Sequence, residues 1–204
     1  MARFGINPDR ALGVRVPDLR RLSKEIGTDH RLALALWKTG LHEARILASM
    51  VDDPAAVTEA QMEAWVGDFD SWDLCDQCCG NLFDKTPFAY TKSIEWATRD
   101  EEFPKRAGFA LMAWAAVHDK RAEDRVFLDF LPVIEREAGD ERNFVKKAVN
   151  WALRQIGKRN RRLHHAALAA AKRLSKRNDS RAARWIGTDA SRELRSEAVV
   201  RRLS

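Results

Sequence analysis

Residues Asp70 to Phe83 read DSWDLCDQCCGNLF. At the helical period of about 100° per residue, Trp72 and Asp76 share one side, a turn apart, with Asp73 and Gly80 nearby. Leu74, Cys75, Cys78 and Leu82 form an apolar stripe on the other side. An indole face beside a carboxylate, with a glycine leaving room, can receive a cation or a cation-like reaction centre. The same residue types also serve plain structural ends: a Trp covering a neighbouring helix, an Asp capping one or closing an ion pair.

Two further segments carry chemistry. Phe103 to His118, FPKRAGFALMAWAAVH, is apolar on nearly every side from Ala107 onward, which predicts a central, buried helix. Arg106 lies in its first turn, where a guanidinium needs an anion, either a carboxylate or a phosphate. Glu141 to Lys158, ERNFVKKAVNWALRQIGK, has a core stripe of Phe144, Val145, Ala148, Val149, Ala152, Leu153 and Ile156. Trp151 lies at the edge of that stripe, with Lys147, Arg154 and Lys158 beside it. Lys and Arg on phosphates supply affinity, and an aromatic among them adds a stacking or sugar contact. A snorkelling basic face next to a half-buried Trp is the structural alternative. The basic run continues through Arg159, Arg161, Arg162, Lys172, Arg173, Lys176 and Arg177.

The three cysteines all fall within Cys75–Cys79 as C-x-x-C-C. A second ligand pair for zinc is missing, and two of the three lie on the apolar stripe, so they read as buried free thiols. No metal and no cofactor is expected. Without a disulfide framework a reducing, cytoplasmic setting fits best.

The elements that must position these residues are helices. Asp29 can cap a helix through Trp37, ended by Gly40. Thr58 with Gln61 has capping-box spacing. Thr86-Pro87 reads as an N-cap followed by proline, and Asn160, Asp179 and Asp189 each precede a helical pattern. Pro132 falls inside an apolar helix, where it should introduce a kink. About twelve helices result, with no confident strand and no linker-like tract, so a single domain over residues 1–204 is expected. Successive short loops, at a spacing of about 35–45 residues per pair, predict an all-α solenoid of antiparallel HEAT-like helix pairs. A compact helical bundle is the competing architecture. No apolar stretch reaches the length of a membrane span.

Charge is unevenly spread. Of the 36 Lys+Arg and 30 Asp+Glu, 18 basic and 4 acidic residues lie from Arg142 onward, a net +14; the preceding chain is −8. Such a segment repels itself unless a polyanion or an acidic surface answers it.

These stretches resemble the AlkD-like family of bacterial DNA alkylation-repair glycosylases. The resemblance rests on GVRVPDLRRLSKEIG, LHEARILAS, DSWDLCD, FPKRAGFALMAW and RNFVKKAVNWALRQIGK, and runs from about Gly13 to the end. It implies a HEAT-like α-solenoid with a concave basic groove for double-stranded DNA, acting as a monomer in the cytoplasm at the nucleoid. It further implies excision of cationic N3- or N7-alkylated purines. By the same resemblance, Trp72 and Trp151 would flank the damaged nucleotide's sugar, Asp76 would be the catalytic carboxylate, and Arg106 would support the DNA backbone. Lys147, Arg154, Lys158, Arg159, Arg161 and Arg162 would be the DNA-binding residues. Family members carry further helical sequence before the segment matching Ala2–Ile6, so a capping helix is expected to be missing here. The alternatives are a non-catalytic HEAT-repeat protein for damaged or branched DNA, and a scaffold for an acidic protein partner.

Overall fold

A computed structural model describes residues 6–203. Among them are twelve α-helices and a 3-10 turn, and no strand. The segment Ala2–Ile6, before which family members carry further helical sequence, lies outside the described residues except for Ile6. The chain divides into two compact units, one ending at Ala89 and one beginning at Tyr90. No change of composition marks that division, which is why no linker was legible there.

The first unit holds α1 (Val16–Ile26), α2 (His30–Lys38), α3 (His42–Val51), α4 (Glu59–Gly67), α5 (Trp72–Asn81) and the 3-10 turn Phe83–Lys85. Asp29 caps α2, accepting from the Leu32 amide at 2.9 Å. Gly40 follows that helix at φ +69°, a conformation that favours glycine. At α4 only half of the expected box forms. Thr58 Oγ1 accepts from the Gln61 amide, but the Gln61 side chain donates to Asp52 at 2.7 Å instead of turning back. Thr86 does not cap a helix: its hydroxyl donates to the Phe83 carbonyl. In the core, Trp37 and Trp65 stack with centroids 3.8 Å apart, and Phe69 and Phe83 close around them.

The second unit follows with α6 (Ala89–Ala97), α7 (Glu102–His118), α8 (Asp124–Glu137), α9 (Asn143–Gly157), α10 (Arg161–Ser175), α11 (Arg181–Leu194) and α12 (Glu197–Leu203). Helices α7, α9 and α11 stack as one layer, and α8 and α10 pack beside each other as a second. As its composition predicts, α7 is central, with every residue from Arg106 to Ala113 buried. Gly108 makes that possible: a Cβ there would lie 2.3 Å from the Ala97 amide nitrogen of α6. Helix α8 runs through Pro132. Asn160 caps α10. Two of the expected starts are corrected. Ser180, not Asp179, caps α11, and Asp179 pairs with Arg177 instead. Asp189 starts no helix but sits inside α11, accepting from Asn150 at 2.7 Å.

One register recurs between α9 and α11. Asn150 reaches Asp189 and Arg154 reaches Glu193, each pair 39 residues apart. Lys146 places its ammonium 5.4 Å from the Trp185 ring centre at the same separation. Stacked helices of equivalent repeats produce such a constant offset, and it lies within the repeat length suggested by the sequence.

Candidate functional site

Helix α5 carries Trp72 and Asp76 half-buried, while Leu74, Cys75 and Cys78 on its other side are fully buried. The apolar stripe is buried as the wheel predicts, and burial extends beyond it to Cys79 and Gly80, which the wheel places next to Trp72 and Asp76. Burial pushes the Cys78 and Cys79 thiols well above their ordinary pKa, so these groups stay protonated and inert.

Two polar pins fix α5 along α3. At one end the His42 ring Nε2 donates to Asp73 Oδ2 at 2.9 Å, with His42 6% exposed. At the other, Asn81 Nδ2 donates to Ser49 Oγ at 3.1 Å. The pins join N-terminus to N-terminus and C-terminus to C-terminus, so α3 and α5 run parallel and α5 cannot slide by a turn without breaking both. Asp76 lies between them. Burial alone would lower the His42 pKa, but the hydrogen bond and charge of Asp73, with the charges of Glu43 and Asp70, raise it above 6.5. Burial would raise the Asp73 pKa, yet His42 holds it below 3.8.

In the second unit Arg106 is 5% exposed, and its Nη1 donates to the Phe144 carbonyl at 2.5 Å. The guanidinium so fixes the first turn of α9 on α7. Further along the same two helices, Trp151 meets Trp114 edge to face at 5.3 Å. Trp114 in turn stacks on His118. A cleft of about 470 Å³ opens here, walled by Trp114 and Trp151 and rimmed by Lys120, Gln155, Lys158 and Arg202. Trp114, Lys120 and Arg202 were not singled out from the sequence. Trp114 sits in an otherwise apolar helix and reads as core, and Lys120 lies in the acidic part of the chain.

The structure sorts the basic residues. Arg154 and Lys158 both pair with Glu193 of α11; two cations against one carboxylate leave that cluster net positive. Arg161 donates to the Leu203 carbonyl. Arg159 lines the cleft beside Lys158 and also braces the fold. Its Nη1 donates at 2.8 Å to the Ala116 and Asp119 carbonyls, and its guanidinium lies 4.0 Å from the Phe127 ring centre. It satisfies carbonyls left open at the C-terminal end of α7. Lys147 and Arg162 are exposed. Like Lys120 and Arg202, they meet no side-chain partner among the described residues.

Among the described residues no His, Cys, Asp and Glu cluster has the makings of a metal site, and no helix is long and apolar enough to cross a membrane. No curated protein matches the sequence. One solved structure of similar fold comes from work on "A new family of proteins related to the HEAT-like repeat DNA glycosylases with affinity for branched DNA structures". It is 20% identical, with a TM-score of 0.75 over 94% of this chain and 86% of that one. The likeness bears on fold and agrees with the HEAT-like helical repeat expected from the sequence. Residues 1–194 match the family described as DNA alkylation repair enzyme, and the chain belongs to that family.

Proposed function

We propose that this protein is a DNA repair glycosylase, a single repeat array that binds duplex DNA and hydrolyses the N-glycosidic bond of cationic N3- or N7-alkylated purines. The observation that carries the reading is Asp76, held half-buried one turn from Trp72 on a helix pinned at both ends. In the proposed reaction the glycosidic bond breaks heterolytically. Its electron pair goes to the purine, cancelling the positive charge that alkylation put there, so no strong general acid is needed. Positive charge builds on the deoxyribose instead, where the Asp76 carboxylate and the indole face of Trp72 stabilise it. Water adds to the anomeric carbon and its proton passes to Asp76 or to solvent. Arg106 acts as a positioning residue, because its bond to Phe144 sets the helix that carries Trp151. Lys147, Arg162, Lys120 and Arg202 hold backbone phosphates, and the Arg154–Lys158–Glu193 cluster lends them net positive charge. Incubating the protein with methylated duplex DNA should release 3-methyladenine or 7-methylguanine. Release of neither, where a known glycosylase releases both, would remove the catalytic reading.

The second reading is a non-catalytic protein for branched or damaged DNA. Its support is the affinity for branched DNA described for the family of the similar structure. It requires DNA binding that is indifferent to Asp76.

A further inference from the structure

We propose that the groove between α10 and α11 is a second contact for the DNA backbone, separate from the Trp114–Trp151 cleft. It rests on the DNA-binding part of the functional reading and not on base excision. The groove, about 460 Å³, is lined by Lys172 and Ser175 of α10 and by Thr188, Ser191, Arg192 and Arg195 at α11, with no carboxylate in the lining. Lys, Arg, Ser and Thr are the side chains that contact phosphate oxygens in DNA complexes.

Neighbouring cations show why this is more than a solvated basic face. Arg173, next to Lys172 in sequence, turns to Glu135 with two hydrogen bonds. Arg177 is held by Asp179, and Arg192 by Asp189. Lys172 and Arg195 meet no side-chain partner among the described residues, so the groove keeps two unanswered positive charges beside three hydroxyls. Its shape is built in. Gly187 brings α11 so close to α10 that a Cβ there would lie 2.3 Å from the Ser175 amide nitrogen and 2.4 Å from the Ala171 carbonyl oxygen. That approach sets Ser175 opposite Thr188 and Ser191.

The groove is distinct from the cleft. Asp189 and Glu193 mark the side of α11 that meets α9. At the helical period, Thr188, Ser191 and Arg195 lie about 100–160° around the helix from them, with Arg192 between the two sides, where it pairs with Asp189. No residue lines both cavities.

The test uses the full chain and a fluorescein-labelled, unmodified duplex, with affinity measured by anisotropy across a salt series. Lys172→Ala with Arg195→Ala should lower the slope of log affinity against log salt by about 1.8, the release expected from two phosphate contacts. Lys172→Arg with Arg195→Lys should keep the wild-type slope. An unchanged slope in the alanine variant overturns the proposal, as does loss of the slope in the charge-conserving variant. The excision reading fails separately: a reduced slope with no base release by the wild type leaves the groove standing alone.

Discussion

A positive charge in this chain has three fates, and Arg159 illustrates the least expected. Its position in a run with Arg161 and Arg162 suggests a phosphate contact, but its two terminal nitrogens donate to backbone carbonyls at the end of α7 and just beyond it. Nothing in the sequence separates Arg159 from its neighbours, because the carbonyls it serves lie about forty residues earlier. Arg159→Ala should therefore lower stability by about 2–3 kcal/mol, the scale of charge-assisted hydrogen bonds whose acceptors are left buried. It should leave the salt dependence of DNA binding unchanged. Denaturant unfolding beside a salt series checks both, and a reduced slope with normal stability would return Arg159 to the phosphate contacts. Lys147→Ala with Arg162→Ala should do the reverse, lowering the slope by about 1.8 with stability intact, because both side chains are exposed and meet no partner among the described residues.

At the scale of elements, α5 owes its place to its pins. His42 has its pKa raised above 6.5, so its stabilisation is full below pH 6.5 and is lost as pH rises through the raised value. Asp73 has its pKa held below 3.8, so its stabilisation is full above pH 3.8 and is lost as pH falls through the lowered value. The pair is fully effective between those two ordinary values. The thermal midpoint of His42→Gln should consequently fall furthest below wild type near pH 5 and converge on it at alkaline pH. A gap that does not vary with pH would mean that the pin is not an ion pair. The sequence revealed much of this helix and little of its setting. Its apolar stripe follows from local periodicity, since burial of Leu74, Cys75 and Cys78 obeys the helical period, while the burial of Cys79 beside Trp72 depends on packing that periodicity does not show. The pins join residues 31 and 32 positions apart, and one sequence does not show which His finds which Asp. The helix starts fail for a related reason. Asp179, Asp189 and Thr86 all have capping chemistry, but Arg177, Asn150 and the Phe83 carbonyl claim them first.

Over the whole molecule, the +14 of the C-terminal third resolves into pairs, internal braces and a remainder. The braces include the α9–α11 ladder, whose constant offset of 39 residues marks the repeat. The remainder includes Lys147 and Arg162, Arg202 at the indole cleft, and Lys172 and Arg195 in the α10–α11 groove, with Lys120 joining the cleft from the acidic part. Charge counting found the excess of positive charge but not its division between surfaces, because that depends on which carboxylates fold back onto which cations. The chemistry, in contrast, is assigned to one carboxylate in the acidic first unit. Release of 7-methylguanine under single-turnover conditions, wild type against Asp76→Asn and with duplex affinity measured on the same samples, tests that assignment most directly. The expected result is a rate lower by about 10²–10³, as when one preorganised electrostatic group is removed from a reaction centre, with affinity unchanged. Release at the wild-type rate, or a loss of affinity as large as the loss of rate, would contradict it.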